Sequence, residues 1–477
     1  MSDVPNRQLQ SASPSCPVAL GAVAIYGGMI AVAIGLFLLI DRCGATLSSP
    51  EPAVAAPAAS GATALVPHAD PVVQVLVALT AVLIAGRIVA ALFRFIGQPP
   101  VIGEVVGGIL LGPSFLGRIW PDAASFILPP SVAPSVGLIA QLGVVLYMFL
   151  VGLELNPSVL RARAHATVAI SHASILAPFV LGSGLALFLY PRLSSSDVKF
   201  TSFALFMGVA MSITAFPVLA RILTDRRIQT TPLGIIALGC AATDDVTAWC
   251  LLAFVVGVAQ AKIGGAFVVL GLTLAYIGFM FFMVRPLAHR ILGGIDDGRL
   301  TPNVVAGVFA VLLASALVTE WIGIHAVFGA FLLGAVIPHG SAVARAFTDR
   351  LVDLVMILLL PAFFAFTGMR TRIGLVSGLD QWLICGLIIV VATAGKFGGA
   401  LISARLTGLG WRDATALGLL MNTRGLMELI VLNIGLDMKV ISPTLFAMMV
   451  LMALVTTMSA SPLLHLLLRN TKSKKEE

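Results

Sequence analysis

The chain has 477 residues, of which 59% are hydrophobic and only 11% charged. A soluble domain carries about 25% charged residues, so this is the composition of an integral membrane protein, and its long apolar runs exclude the short alternating strands of an outer-membrane barrel. The formal charge of +7 is spread over the loops between those runs, and no segment free of them is long enough to form a nucleic-acid-binding domain.

Residues 1–16 are polar. Val18–Ile40 is the first apolar run; it is long for a signal peptide and its charged leader is weak, so it reads as a spanning helix. An Ala, Pro and Ser-rich stretch, 44–70, reads as an extended loop. Further spans are predicted at Val72–Phe93, at the Gly and Pro-rich Gly97–Gly117, at Pro134–Gly152 and at Ala166–Tyr190. Phe200–Leu223 carries the polar SITAFP segment, Ser212 to Pro217, at its middle, and Pro232–Gly257 and Ala266–Leu287 follow. Asp296-Asp297-Gly298 lies in a Gly-rich turn, where solvated carboxylates cost nothing. The second half contributes Val304–Glu320, the short His325–Pro338, Leu351–Met369, Trp382–Leu406, Trp411–Leu436 and Ser442–Leu468. The tail is short and charged, and no soluble regulatory domain is expected after it.

These are about fourteen spans. With both termini cytoplasmic, roughly 18 Lys and Arg fall on the cytoplasmic side and roughly 8 outside, leaving out Arg87, Lys396 and Arg424 as intramembrane. Losing one internal span would scramble that bias. The helices starting near Ala166, Phe200 and Pro232 correspond to those near Trp382, Trp411 and Ser442 at an offset of roughly 210 residues. One unpaired helix, Ala266–Leu287, separates the halves, so the second runs in the opposite direction. The expected fold is an all-α inverted-topology repeat of secondary-transporter type. Its parts are an extra helix and loop (1–71), a first six-helix half (72–257), a linker helix and cytoplasmic loop (258–301), a second half (302–468) and the tail (469–477).

Asp244 and Asp245 lie side by side in the middle of Pro232–Gly257. Each carboxylate at a bilayer centre costs roughly 2.5–3.5 kcal/mol on insertion scales, a cost a sequence avoids unless the charge has a use. The bland alternatives are an aqueous loop, against which the uninterrupted apolar flanks argue, and a structural hydrogen-bonding role. Neighbouring side chains on a helix point about 100° apart, so one carboxylate can face a counter-charge while the other faces an aqueous cavity. Other deep ionisable residues are Glu104, Lys396, Arg424 and Glu428, with Glu154 and Arg370 nearer helix ends. Lys396 is the best counter-charge; snorkelling is its alternative, but it is far from both ends of its span. Arg424 and Glu428 are four apart on one face and can pair with each other. Two spans are broken at mid-membrane. Pro217 cannot bond the carbonyl of Ile213, and Ser212 and Thr214 add oxygens; Asn422, Thr423 and Gly425 surround Arg424 in the equivalent helix. Unwound backbone at that depth is tolerated where it lines a cavity or is buried in protein. A simple kink, or helix–helix hydrogen bonding, is the competing account. The five cysteines, Cys16, Cys43, Cys240, Cys250 and Cys385, show no metal-ligand or redox spacing.

Gly97 to Gly117, Met211 to Leu223, Ala241 to Trp249, LPAFFAFTGMRT (Leu360 to Thr371) and NTRGLMELIVLNIG (Asn422 to Gly435) resemble the monovalent cation:proton antiporter-2 family, and most of all its plant and fungal cation/H+ exchanger branch. The resemblance covers Val72 to Leu468. It implies a homodimer with a dimerisation domain and a mobile core domain holding crossed, discontinuous helices. It implies that Asp245 carries the ion or proton and that Asp244 pairs with a core basic residue, Lys396. The Val18–Ile40 span lies outside the family pattern, and a long cytoplasmic tail like that of many relatives is not expected.

The resulting expectation is exchange of K+ or Na+ for protons. A proton and a hard cation compete for the same carboxylate oxygens, and if only loaded states cross, exchange is obligatory. Asp245, Thr214 and freed carbonyls near Ile213 and Thr423 would supply oxygen ligands, by the logic of other hard cations; Ser212 belongs to the same set, with Lys396, Arg424 and Glu428 balancing charge. No cofactor is expected. Besides the ions, the expected partners are the bilayer and a second copy of the chain, with no nucleic acid, and the plasma membrane, or a bacterial inner membrane, is the expected location. A proton-uncoupled channel and a non-transporting sensor are the alternatives. Adjacent aspartates cannot face each other as an intramembrane aspartyl protease requires, and no HExxH is present for a zinc protease.

Overall fold

The computed structural model describes residues 16–50, 71–129, 131–154, 164–195, 198–229, 231–260, 265–292 and 301–469. The acidic pair 296–297 and most of the Ala and Pro-rich loop lie outside the described residues. Helix α1 is Cys16–Gly44, α2 Pro71–Phe95 and α3 Pro100–Leu111, followed by the short α4 (Leu116–Ile119) and α5 (Pro121–Ile127). Next come α6 (Ala133–Glu154), α7 (Ala164–Leu193), the half-helices α8 (Phe200–Ser212) and α9 (Phe216–Asp225), and α10 (Pro232–Gln260). Helix α11 (Gly265–Phe279) continues through a π-helical turn into α12 (Arg285–Leu292). The second half holds α13 (Pro302–Ile322), α14 (Ala326–Val336), α15 (Ala342–Leu354), α16 (Leu360–Arg370), α17 (Gly378–Leu406), the half-helices α18 (Trp411–Met421) and α19 (Leu426–Asp437), and α20 (Pro443–Arg469).

Among the described residues, eleven helices are long and apolar enough to cross a membrane. The two interrupted pairs and α14 occupy the remaining three predicted spans. The span predicted from Leu351 begins nine residues earlier, at Ala342, in the structure. Its first turns carry Arg345, Asp349, Arg350 and Asp353, which hide it from an apolar-run reading. Ser341 starts it as N-cap, its hydroxyl accepting from the Ala344 N–H at 3.1 Å. A π-helical turn, Val355–Leu359, joins α15 to α16 ahead of Pro361, where a proline ring would otherwise collide with the carbonyl four residues back.

The helices pack in two groups. One holds α7, α8–α9, α10, α17, α18–α19 and α20, the triplets that correspond in the repeat, with α1 against α7. The other holds α2, α3, α6 and α11–α16. The groups meet where α10 packs on α11 and α19 on α16. Small residues set the closest crossings. A methyl group at Gly334 of α14 would overlap the Phe149 carbonyl of α6. At the crossing of α7 and α17 a methyl at Gly395 would lie 2.7 Å from the Pro178 Cα. Lipid offers no hydrophobic drive between helices, so such close contact supplies van der Waals attraction instead. The second crossing also seats Lys396, one residue on, in the protein interior.

Candidate functional site

Two half-helices end inside the protein, and their ends define the site. Helix α8 stops at Ser212, and residues Ile213 to Ala215 run extended before α9 opens with Pro217 in its first turn. There the missing proline N–H would have been an orphan anyway, so the proline starts the second half-helix rather than kinking one continuous helix. In the equivalent pair, α18 stops at Met421 and α19 begins at Leu426. The two breaks touch. The Ala215 N–H donates to the Thr423 carbonyl at 3.1 Å, and the Thr214 hydroxyl lies 3.3 Å from the Met421 carbonyl.

A helix end leaves carbonyls without intrahelical partners and a partial negative charge. Here two cations answer it. Arg424 donates to the carbonyls of Ala210 (3.2 Å) and Met211 (2.9 Å), and Lys396 Nζ donates to that of Ser212 (2.6 Å). Arg424 also pairs with Glu428 Oε2 at 3.2 Å, and Glu428 sits in the first turn of α19, the positive end of that half-helix. Thr457 of α20 holds the break, accepting from the Arg424 N–H at 2.9 Å and donating to the Arg424 carbonyl at 2.6 Å.

The two aspartates of α10 have different surroundings. Asp244 accepts from Lys396 Nζ (2.8 Å), Thr214 Oγ1 (2.7 Å) and Ser174 Oγ (3.1 Å) at Oδ2, and from Ser171 Oγ (2.5 Å) at Oδ1. Its ion pair is buried on both sides. Desolvation of such a pair is offset only when the remaining lone pairs are satisfied, and here three hydroxyls satisfy them. Asp245 is also buried, at 4% exposure, and faces the first turn of α9, where the Phe216 N–H donates to it. Among the described residues its Oδ1 has no hydrogen-bond partner, and the nearby break leaves Asn422 Oδ1 equally unengaged. Glu428 Oε1 is likewise buried without a partner.

The predicted residues thus converge, with several differences in detail. Thr214 was expected beside Asp245 as a ligand; its hydroxyl is spent on Asp244. Ser212 uses its hydroxyl on the carbonyls of Gly208 and Ile175, at 2.6 and 3.0 Å, and offers only its backbone oxygen to the cluster. The Thr423 hydroxyl turns back to the Leu420 carbonyl at 2.8 Å, and its own carbonyl, expected to be free, receives Ala215. A hydroxyl near a broken helix end satisfies its own backbone before it reaches outward. Ile213 is buried in the extended segment. Glu104 is buried on α3, and no hydrogen bond or ion pair among the described residues joins it to this cluster. Arg370 instead binds Asp437 and Asn433 of α19, at 2.5 and 3.1 Å. Ser171 and Ser174 were missed. Their three-residue spacing puts both on one face of α7, a readable signal, but serines in spanning helices more often bond their own backbone, as Ser174 also does to Ser171 O at 2.8 Å.

The chain has known relatives in sequence and in fold. A family model described as "Sodium/hydrogen exchanger, transmembrane" matches residues 77–469. The chain is 44% identical over 380 residues to the "Na(+)/H(+) antiporter NhaS4" of Synechocystis, covering 79% of this chain and 93% of that protein. It is 40% identical over 396 residues to "Cation/H(+) antiporter 17" of Arabidopsis thaliana, covering 82% of this chain and 48% of the relative, and 33% identical over 385 residues to "K(+)/H(+) antiporter 1" of Saccharomyces cerevisiae, covering 78% and 44%. It therefore spans about half the length of the plant and yeast relatives. The solved sodium proton antiporter MjNhaP1 of Methanocaldococcus jannaschii shares the fold, with a TM-score of 0.59 at 16% identity over 83% of this chain and 96% of that one. Two interrupted helices crossing beside a buried carboxylate pair, on a backbone that follows a solved antiporter and a sequence matched from span to span, make this chain a member of the sodium/hydrogen exchanger family.

Proposed function

We propose that this protein is a secondary active transporter, exchanging a monovalent cation, K+ or Na+, for protons by alternating access. The observation that carries the reading is the division between the two aspartates. Asp244 has its oxygens filled by Lys396 and three hydroxyls, while Asp245 keeps a buried oxygen that no group among the described residues engages. A carboxylate so placed can hold a proton or a dehydrated cation, and binding one displaces the other. Asp245 is then the carrier. The Asn422 side-chain oxygen, the Ile213 carbonyl and the remaining lone pair of the Thr423 carbonyl complete an oxygen shell of the kind hard cations require. Lys396, Arg424 and Glu428 balance the charges of the half-helix ends, so that the site can change its own charge without unravelling the breaks.

Alternating access requires the group containing α7–α10 and α17–α20 to move against the group containing α2, α3, α6 and α11–α16. We take the first as the mobile core and the second as the dimerisation domain of a homodimer, in a plasma or bacterial inner membrane with both termini cytoplasmic. The names of the relatives, for Na+/H+, K+/H+ and cation/H+ antiport, support exchange over simple conduction. The test is reconstitution into liposomes with an internal pH dye, adding Li+, Na+, K+ and Rb+ in turn. A cation gradient should drive proton movement of opposite sign. Cation flux with no pH change would mean a channel, and silence with every cation would refute transport.

A further inference from the structure

A cavity of about 310 Å3 lies away from the aspartate site, between the α2–α3 connection, the end of α9 and α20. Its polar lining is Arg94, Gln98, Arg226 and Ser461. Arg226 donates to the Ser461 carbonyl (2.6 Å) and hydroxyl (3.2 Å) and lies 3.4 Å from His465 Nδ1, so none of these partners is an acid. Arg94 stands exposed in the last turn of α2. Among the described residues neither arginine forms an ion pair and none of the residues lining the cavity is a carboxylate. Two uncompensated guanidinium groups on one small cavity attract an anion. Arginine's planar fork suits phosphate in particular, and basic pockets between spanning helices at the cytoplasmic end of a bundle take phosphate headgroups.

The cavity also lies on the seam between the two helix groups. Arg94 and Gln98 belong to the α2–α3 side, and Arg226 and Ser461 to the other. The seam is already stitched by Gln98 Nε2 donating to the Met458 carbonyl at 3.1 Å and by the Ser461 hydroxyl 3.5 Å from the Gly97 carbonyl. We propose that this cavity binds a phosphate group, from a phospholipid headgroup or from free phosphate, through Arg94 and Arg226 together, and that the bound group ties the two helix groups and slows exchange. The effect on exchange rests on the function proposed above; the binding does not.

Binding is read by melting of the detergent-purified protein at fixed ionic strength. The probes are dioctanoyl phosphatidylglycerol, dioctanoyl phosphatidylcholine and inorganic phosphate, on the wild type, Arg94→Gln, Arg226→Gln and the control Arg192→Gln. Arg192 is a basic residue stacked on Phe188 at the far end of α7. Phosphatidylglycerol should raise the melting temperature saturably, with apparent affinity about tenfold weaker in each cavity variant and unchanged in the control. An equal, cavity-dependent response to inorganic phosphate would identify free phosphate as the ligand. No saturable shift with any probe, the same shift with phosphatidylcholine as with phosphatidylglycerol, or an equal response from cavity and control variants would overturn the site. Arg94 is exposed and makes no side-chain bond among the described residues, so Arg94→Gln carries the test if Arg226→Gln does not fold. In liposomes with and without phosphatidylglycerol, the anionic lipid should slow the wild type and leave Arg94→Gln unaffected. Specific binding with no change in rate would overturn the tie between the groups, whereas no exchange in either lipid would sink the exchanger reading and leave the binding result standing.

Discussion

Replacing Lys396 by alanine should destabilise the protein more than any surface change, and the structure says how the loss divides. Lys396 is fully buried and makes two hydrogen bonds, to Asp244 Oδ2 and to the carbonyl that ends α8. Lys396→Ala therefore strands a buried carboxylate and a helix-terminal carbonyl at once. Breaking a buried ion pair from one side typically costs about 3–5 kcal/mol. Three hydroxyls still donate to Asp244, which argues for the lower part of that range. Asp244→Asn alone is also unfavourable, because the amide keeps one acceptor oxygen where the carboxylate served four donors. Combined, the variants remove the stranded charge but not the loss at the Ser212 carbonyl. The double variant should recover about 0.5–3 kcal/mol of the summed losses, the usual range for coupled neighbours. Melting of both single variants and the double in one detergent measures this. Purely additive shifts would mean that the 2.8 Å pair does not contribute energetically, and the charge-balancing role assigned to Lys396 would fall with it.

Asp245→Asn should keep melting within roughly 1 kcal/mol of wild type, since Oδ1 has no internal partner to lose, while cation-driven proton movement in liposomes disappears; exchange at the wild-type rate would remove Asp245 from the mechanism. Gly334→Val pushes a branched side chain into the Phe149 carbonyl and should cost at least about 1–3 kcal/mol, read as loss of monodisperse protein in size-exclusion chromatography; an unchanged profile would mean that the α6–α14 crossing is looser than drawn. A cysteine at position Ser473 should react with an impermeant thiol reagent only after permeabilisation; labelling of intact cells would invert the proposed orientation.

Much of this protein is legible in its sequence because the bilayer makes the reading local. A span must satisfy its own backbone and present some twenty apolar residues, so apolar runs locate most of the helices. The same logic isolates Asp244 and Asp245, since no soluble environment excuses two carboxylates there. It finds Lys396, Arg424 and Glu428 for the same reason, and the polar interruptions at Ser212–Pro217 and Asn422–Gly425 as breaks. What it could not supply is which groups meet across helices. Pro217 suggested a break that frees the Ile213 carbonyl, with a simple kink as the alternative; in the structure the chain is extended there and the proline opens a new half-helix. Thr214 looked like a cation ligand beside Asp245 and donates instead to Asp244, because the Ala215–Thr423 contact fixes how the two breaks cross. Arg424 looked like the partner of Glu428 alone, yet its guanidinium also closes the end of α8, some 210 residues away in the chain. Helix periodicity says which residues share a face, but the approach of two helices is set by the small residues between them, such as Gly395 against Pro178. Those contacts couple positions that no local rule connects, so the partner of a buried charge is decided only when the helices have packed.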